Sequence, residues 1–155
     1  MAAFAIVFIA DQASKWYIVQ VLGMAKGENI DLFPTLSLTY TTNPGITFGL
    51  LQGNGTWHYL LLASVALVVI GLLLAWLWRA STWVSAIALG AAAGGAIGNV
   101  ADRLYYGEVI DFIRFHIGGW SWYIFNAGDA AIVCAVIAMI AEGLLARPAP
   151  ERAGP

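Results

Sequence analysis

The chain has 155 residues, enough for one domain, of which 61% are hydrophobic and 10% charged, with a net charge of −2. A mean hydropathy of +0.79 is far above that of soluble domains and excludes an ordinary water-soluble globule. A membrane-spanning helix needs about 20 mostly apolar residues. The first such stretch is AAFAIVFIADQASKWYIVQVLGM (2–24), with Asp11 and Lys15 inside it. A cleaved signal peptide competes for this stretch, but the basic leading region is missing and apolar residues resume after Lys15. WHYLLLASVALVVIGLLLAWLW (57–78) carries no formal charge and is closed by Arg79. TWVSAIALGAAAGGAIGNVA (82–101) is equally uncharged. IFNAGDAAIVCAVIAMIAEGLLA (124–146) holds Asp129 near its start and Glu142 near its end.

These stretches predict an all-α membrane protein of four transmembrane helices, over about 2–24, 57–79, 82–105 and 125–146. They form a single domain, 1–146, followed by a disordered tail, 147–155. An even number of spans puts both termini and the connector RAST on one side, and the long segments 25–56 and 106–124 on the other. Arg79, Arg147 and Arg152 then oppose Lys26, Arg103 and Arg114, so the positive-inside rule does not orient the chain. In LSLTYTTNPG, Leu36, Leu38 and Tyr40 alternate with Ser37, Thr39 and Thr41, the period of a half-buried strand, before Asn43-Pro44-Gly45 makes a turn. A small β-sheet on the membrane surface is expected there. DFIRFHIGGWSWYIF (111–125), rich in Trp and Tyr, is expected to lie along the bilayer as an interfacial segment.

Charges inside spans are costly and therefore paired or functional. Asp11 and Lys15, four apart, share a helical face and can form a structural ion pair. Gly90, Gly94 and Gly98 make a small-residue face for close helix packing just below Asn99 and Asp102. Cys134 reads as a small hydrophobe, His58 and His116 as isolated interfacial residues, and Glu108 as solvated. If 112–124 folds back, Asp111 and Asp129 meet at one end of the bundle. Two carboxylates sharing a site retain one proton, which supplies an acid and a base from identical side chains. The competing reading has Asp111 solvated and Asp129 capping its helix. Spacing alone leaves both open. The chain has no HExxH, Cys pair, GxSxG or phosphate-binding glycine loop.

DQASK (11–15), NPGITFG (43–49), GNVADRLYYGEVIDF (98–112) and FNAGDAA (125–131) together resemble, in order and spacing, the lipoprotein signal peptidases, the type II signal peptidases of bacteria. The resemblance runs from Asp11 to the end of the fourth helix. It implies catalytic aspartates at Asp111 and Asp129, and substrate-binding residues at Asn43, Gly45, Asn99, Arg103 and Asn126. Asp11, Lys15 and Asp102 fall in as polar structural support. Gly128 stands where the family usually has alanine, Thr47 replaces a smaller residue, and few residues precede Asp11. The implied activity is hydrolysis of the bond before a diacylglyceryl-modified cysteine in a prolipoprotein. It implies a bacterial inner-membrane location, cytoplasmic termini, and an extracytoplasmic sheet and active site near the outer leaflet. The implied partners are lipidated prolipoproteins and membrane lipids, with a monomeric protein, no nucleic acid, no metal and no organic cofactor. Three rival classes remain. A proton-coupled transporter would spread polar residues through the bilayer depth, whereas spans two and three are clean at their centres. A noncatalytic subunit would make the two aspartates dispensable. A presenilin-like protease would need glycine at Asn126.

Overall fold

The structure is a computed structural model and describes residues 1–45 and 55–145. Thr47, the remainder of 46–54, and the tail expected over 147–155 lie outside the described residues. Four helices are long and apolar enough to cross a membrane. They are α1 (Ala2–Trp16, prolonged by a π turn, Tyr17–Val21), α2 (Thr56–Leu77), α3 (Trp83–Tyr106) and α4 (Ala127–Leu145). Between α1 and α2 run β1 (Asn29–Phe33) and β2 (Leu36–Asn43); between α3 and α4 run β3 (Val109–Ile117) and β4 (Trp120–Ser121). In lipid every backbone polar group must be satisfied within the segment, so uninterrupted apolar runs become helices.

Helix α3 packs on each of the other three and is the most buried of them. The others turn large apolar side chains outward, among them Ile6, Leu61, Leu72, Ile137 and Leu144, a surface suited to acyl chains rather than water. Small residues let α3 sit at the centre. Gly90 and Gly94 meet the backbone of Phe4 in α1, and Gly98 lies against the Asp11 carboxylate. Gly95, outside the expected ladder, faces the Gly128 backbone in α4. A Cβ on Gly95 would fall on the Gly128 carbonyl, one residue before Asp129, whereas a Cβ on Gly71 in α2 meets nothing within 4 Å. Gly95→Ala is therefore expected to cost about 1–3 kcal/mol by forcing α3 and α4 apart. Gly71→Ala is expected to leave stability equal or slightly higher. Thermal unfolding of the two variants in detergent checks the contrast.

The four strands form one antiparallel sheet in the order β1-β2-β3-β4. The segment expected over 111–125 is not irregular: it carries β3, which pairs with β2, and β4. Leu36 opposes Phe115, Thr41 opposes Asp111, and Asn43 opposes Val109, with an irregularity between Leu38 and Thr41. Backbone N–H and C=O groups near the apolar phase need partners, and β2 supplies them. Gly118, at φ +58°, provides the positive φ of the tight turn into β4. Directly paired residues share a face, so Ile30, Leu38 and Ile113 make an apolar row, and Asp31, Ser37 and Arg114 a polar one. On the polar face Asp31 accepts from Ser37 (2.8 Å) and Asn29 (2.7 Å), which holds its carboxyl below the usual range. His116, read as isolated, instead lies 2.6 Å from the Ser37 hydroxyl.

The sheet also brings the two ends of the bundle's polar region together. Phe125, two residues before α4, bridges to Ile113: Ile113 N–H donates to the Phe125 carbonyl at 2.8 Å, and Phe125 N–H returns to Ile113 at 3.1 Å. At the other end of β3, Ile110 N–H donates to Asp102 Oδ2 on α3 at 3.1 Å. Strand β3 is thus tied to both α3 and the start of α4.

Candidate active site

Asp111 enters the site from β3 and Asp129 from the first turn of α4. Asn126 joins them. Its Nδ2 donates to Asp111 Oδ1 at 2.7 Å, and its Oδ1 accepts the Asp129 N–H at 2.9 Å. The second contact is a helix N-cap, and Asp129, third residue of the helix, returns it, its Oδ2 accepting the Asn126 N–H at 3.4 Å, so the capping expected of Asp129 is present as one half of a capping box. Capping does not use up Asp129: its Oδ1 accepts from Asn99 Nδ2 at 2.8 Å. Asp111 is not solvated, contrary to the competing reading, for it is 1% exposed. Burial and the neighbouring Asp129 charge push its carboxyl up to about 7, against opposing hydrogen bonds from Asn126 and Asn43. That is the range in which a carboxyl can trade a proton at physiological pH.

Beneath the pair lies a buried network. Lys15 Nζ spends its hydrogens on Asp11 Oδ2 (2.7 Å), Asp102 Oδ2 (2.8 Å) and Asn99 Oδ1 (3.1 Å). The expected Asp11–Lys15 pair is present and extends to a third charge, Asp102, all three being nearly inaccessible. Asp11 Oδ1 accepts the Gly128 N–H at 2.8 Å, so α1 satisfies a donor at the start of α4. Gln12 Nε2 donates to Asp102 Oδ1 (3.0 Å) and to the Gly98 carbonyl (3.2 Å). Its place inside DQASK was the signal available for it.

Asn43, Pro44 and Gly45 are held from two sides. Asn43 lies against Asp111 and accepts the Gly45 N–H at 3.0 Å. Arg103 Nη2 donates to the Gly45 carbonyl (2.8 Å) and Nη1 to the Asn99 carbonyl (3.3 Å), while its buried Nε–H has no acceptor among the described residues. His58, read as an isolated interfacial residue, holds the Pro44 carbonyl at 2.9 Å. Glu108 meets Lys26 at 3.4 Å on the surface, remote from this chemistry. Of the residues expected to bind substrate, Asn99 and Asn126 direct their side chains at the aspartates, and Arg103 and Asn43 build the loop beside them. Arg103→Lys is expected to lower kcat/KM about tenfold or more and the unfolding temperature by about 3–10 °C. A lysine cannot span the two carbonyls, and a charge-assisted hydrogen bond is worth roughly 1.5–3 kcal/mol. Steady-state kinetics beside thermal unfolding tests this.

Two cavities flank the pair. One, about 400 Å³, is lined by Asp111, Thr42, Asn43 and Arg114 on the sheet side. The other, about 580 Å³, reaches Asp129 and is walled by apolar residues of β3, α4 and the segment before α4, including Ile113, Val133 and Phe125. Trp122 and Tyr123 border both.

The family model for Signal peptidase (SPase) II matches residues 3–145. The chain belongs to that family. The chain is 40% identical to the lipoprotein signal peptidase of Methylocella silvestris, over 90% of this chain and 82% of that protein. It is 37% identical to the lipoprotein signal peptidase of Salmonella typhi, over 92% and 86%. A bacterial membrane enzyme solved by the in meso method superposes with a TM-score of 0.80 at 27% identity, covering 92% of this chain and 85% of that one. As a member of the signal peptidase II family the protein is a protease, and its four apolar helices make it a membrane one.

Proposed function

We propose that the protein removes signal peptides from prolipoproteins by hydrolysing the bond before a diacylglyceryl-modified cysteine, with Asp111 and Asp129 as a catalytic dyad. The observation that carries this is the pair itself: a buried aspartate and a half-buried one from different elements, joined through Asn126, between a polar cavity and an apolar one. The dyad carries one proton. Its ionised member takes a proton from water as the water oxygen attacks the scissile carbonyl. The protonated member donates to the developing oxyanion. Collapse of the tetrahedral intermediate breaks the C–N bond, and a dyad proton passes to the leaving cysteine nitrogen. The products are a signal-peptide carboxylate and a new amino terminus.

Asn126 and Asn99 act here as positioning residues for the dyad. Asn43, Gly45 and Arg103 shape the wall against which the substrate backbone lies. Asp11, Lys15 and Asp102 hold α1, α3 and α4 in the register that makes the site. A signal helix ending at the membrane surface would bring its cleavage bond and lipid to this depth, with the sheet and site toward the outer leaflet of the bacterial inner membrane and the termini cytoplasmic. The protein acts as a monomer in this account. Incubating purified protein with diacylglyceryl-modified and unmodified prolipoprotein tests it. Gel-shift cleavage of the modified form, with the product beginning at the lipidated cysteine, is expected. Equal cleavage of both forms would remove the lipid from the recognition.

A further inference from the structure

We infer that Arg114, steadied by Ser121, forms a subsite for the mature side of the substrate and selects an acidic residue shortly after the lipidated cysteine. The inference rests on the peptidase function proposed above. Arg114 lines the same polar cavity as Asp111. Its Nε donates to Ser121 Oγ at 2.8 Å, which fixes the plane of the guanidinium, and it joins no ion pair among the described residues. The carboxylate on its row of the sheet, Asp31, is separated from it by Ser37 and is already engaged by Ser37 and Asn29. A guanidinium presents a planar fork that matches a carboxylate; here its charge is felt by Asp31, whose carboxyl it helps to lower, but no carboxylate lies within ion-pair distance of it among the described residues.

The two cavities give the substrate a direction. The apolar cavity follows α4 from Asp129 and suits the membrane-borne side of the cleaved bond. The polar cavity leads the other way, from Asp111 to Arg114. Arg114 stands three residues along β3 from Asp111, roughly 10 Å of strand; the alternation of side chains sends the two to opposite faces, so their meeting place is the cavity that both line, within reach of about three residues of extended substrate. With the cysteine counted as the first residue of the product, Arg114 therefore meets the second or third.

Three diacylglyceryl prolipoprotein peptides, identical except for Asp, Ser or Lys at the second and third positions, test this. Wild-type kcat/KM is expected to fall in the order Asp, Ser, Lys, with an Asp-to-Lys ratio of about 3–10, the size of a partly exposed ion pair. Arg114→Ala should bring the ratio to about one, and Arg114→Glu should invert it. The ratio is internal to each preparation, so a reduced folded fraction leaves it unchanged. A wild-type ratio of one overturns the inference. So does a ratio that survives Arg114→Ala, including the case where all three peptides lose rate equally, as they would if Arg114 held a lipid phosphate. Failure of wild type to cleave any of the three would overturn the peptidase reading itself, and this one with it.

Discussion

Replacing Asp111 or Asp129 by asparagine is expected to reduce prolipoprotein cleavage by at least about 10²–10⁴-fold, the contribution of a positioned acid or base. Asparagine keeps the shape and an acceptor oxygen. At position 111 it can still receive the Asn126 amide, now 2.7 Å from Asp111, and at 129 the Asn99 amide, now 2.8 Å from Asp129. Neither substitution opens a cavity, so both variants should insert and unfold within a few degrees of wild type. What each loses is a titratable proton. A dyad needs both members, because one carboxyl alone cannot be acid and base in the same step, so the two effects should not add: the double variant should be about as inactive as either single one. Turnover near wild type by either purified variant would remove that residue from the chemistry. Loss of activity matched by loss of folded protein would make it scaffold.

Lys15→Met should be the most destabilising single change in the polar layer. Lys15 is 2% exposed, and its ammonium faces Asp11, Asp102 and the Asn99 carbonyl oxygen. A methionine of similar length fills the space but leaves two buried carboxylates and an amide oxygen facing one another. Removing one partner of a buried ion pair costs about 3–5 kcal/mol, because the remaining charge stays desolvated. The damage should not stay local. Asp11 caps Gly128 at the start of α4, and Asp102 anchors β3 through Ile110, so both aspartates of the dyad would lose their supports. The expected result is a large fall in unfolding temperature and in folded yield, with cleavage falling further than folding. Combining Lys15→Met with Asp102→Asn should recover part of the stability by removing one of the stranded charges. Unchanged unfolding of Lys15→Met would mean that the network does not hold the bundle together.

The spans were legible because each is a run of about 20 apolar residues, and no soluble element needs that length. Strand β2 was legible from its alternation. Strand β3 was not, because Val109, Ile110, Asp111 and Phe112 are all buried, so its start shows no two-residue period. Its pairing with β2 joins residues some seventy positions apart, which no local pattern records. The same holds for the dyad. Residue spacing left Asp111 and Asp129 undecided between catalysis and solvation with capping; the resemblance pointed to a dyad, and the Ile113–Phe125 bridge brings the two elements together. The role of His58 was hidden for a similar reason: its partner is a backbone carbonyl fourteen residues earlier, in a turn. Gln12 and Asn126 are different, since both stood inside recognised motifs and only their partners were unknown.

Stability and catalysis both turn on the proton that Asp111 holds. The folded protein raises the Asp111 carboxyl from 3.8 to about 7, so it holds a proton that the unfolded chain has already released. This group's contribution to stability is therefore fully present below about pH 4 and is lost as pH rises toward 7. Catalysis follows the same proton: as pH rises through about 7 Asp111 gives it up, and the dyad loses acid with which to meet the oxyanion. The most direct measurement is kcat/KM of the wild-type protein on a lipidated prolipoprotein peptide from pH 5 to 9, at constant ionic strength. An alkaline limb with its midpoint near pH 7 is expected. A rate that stays level or climbs from pH 7 to 9 would contradict a proton-sharing pair at Asp111 and Asp129.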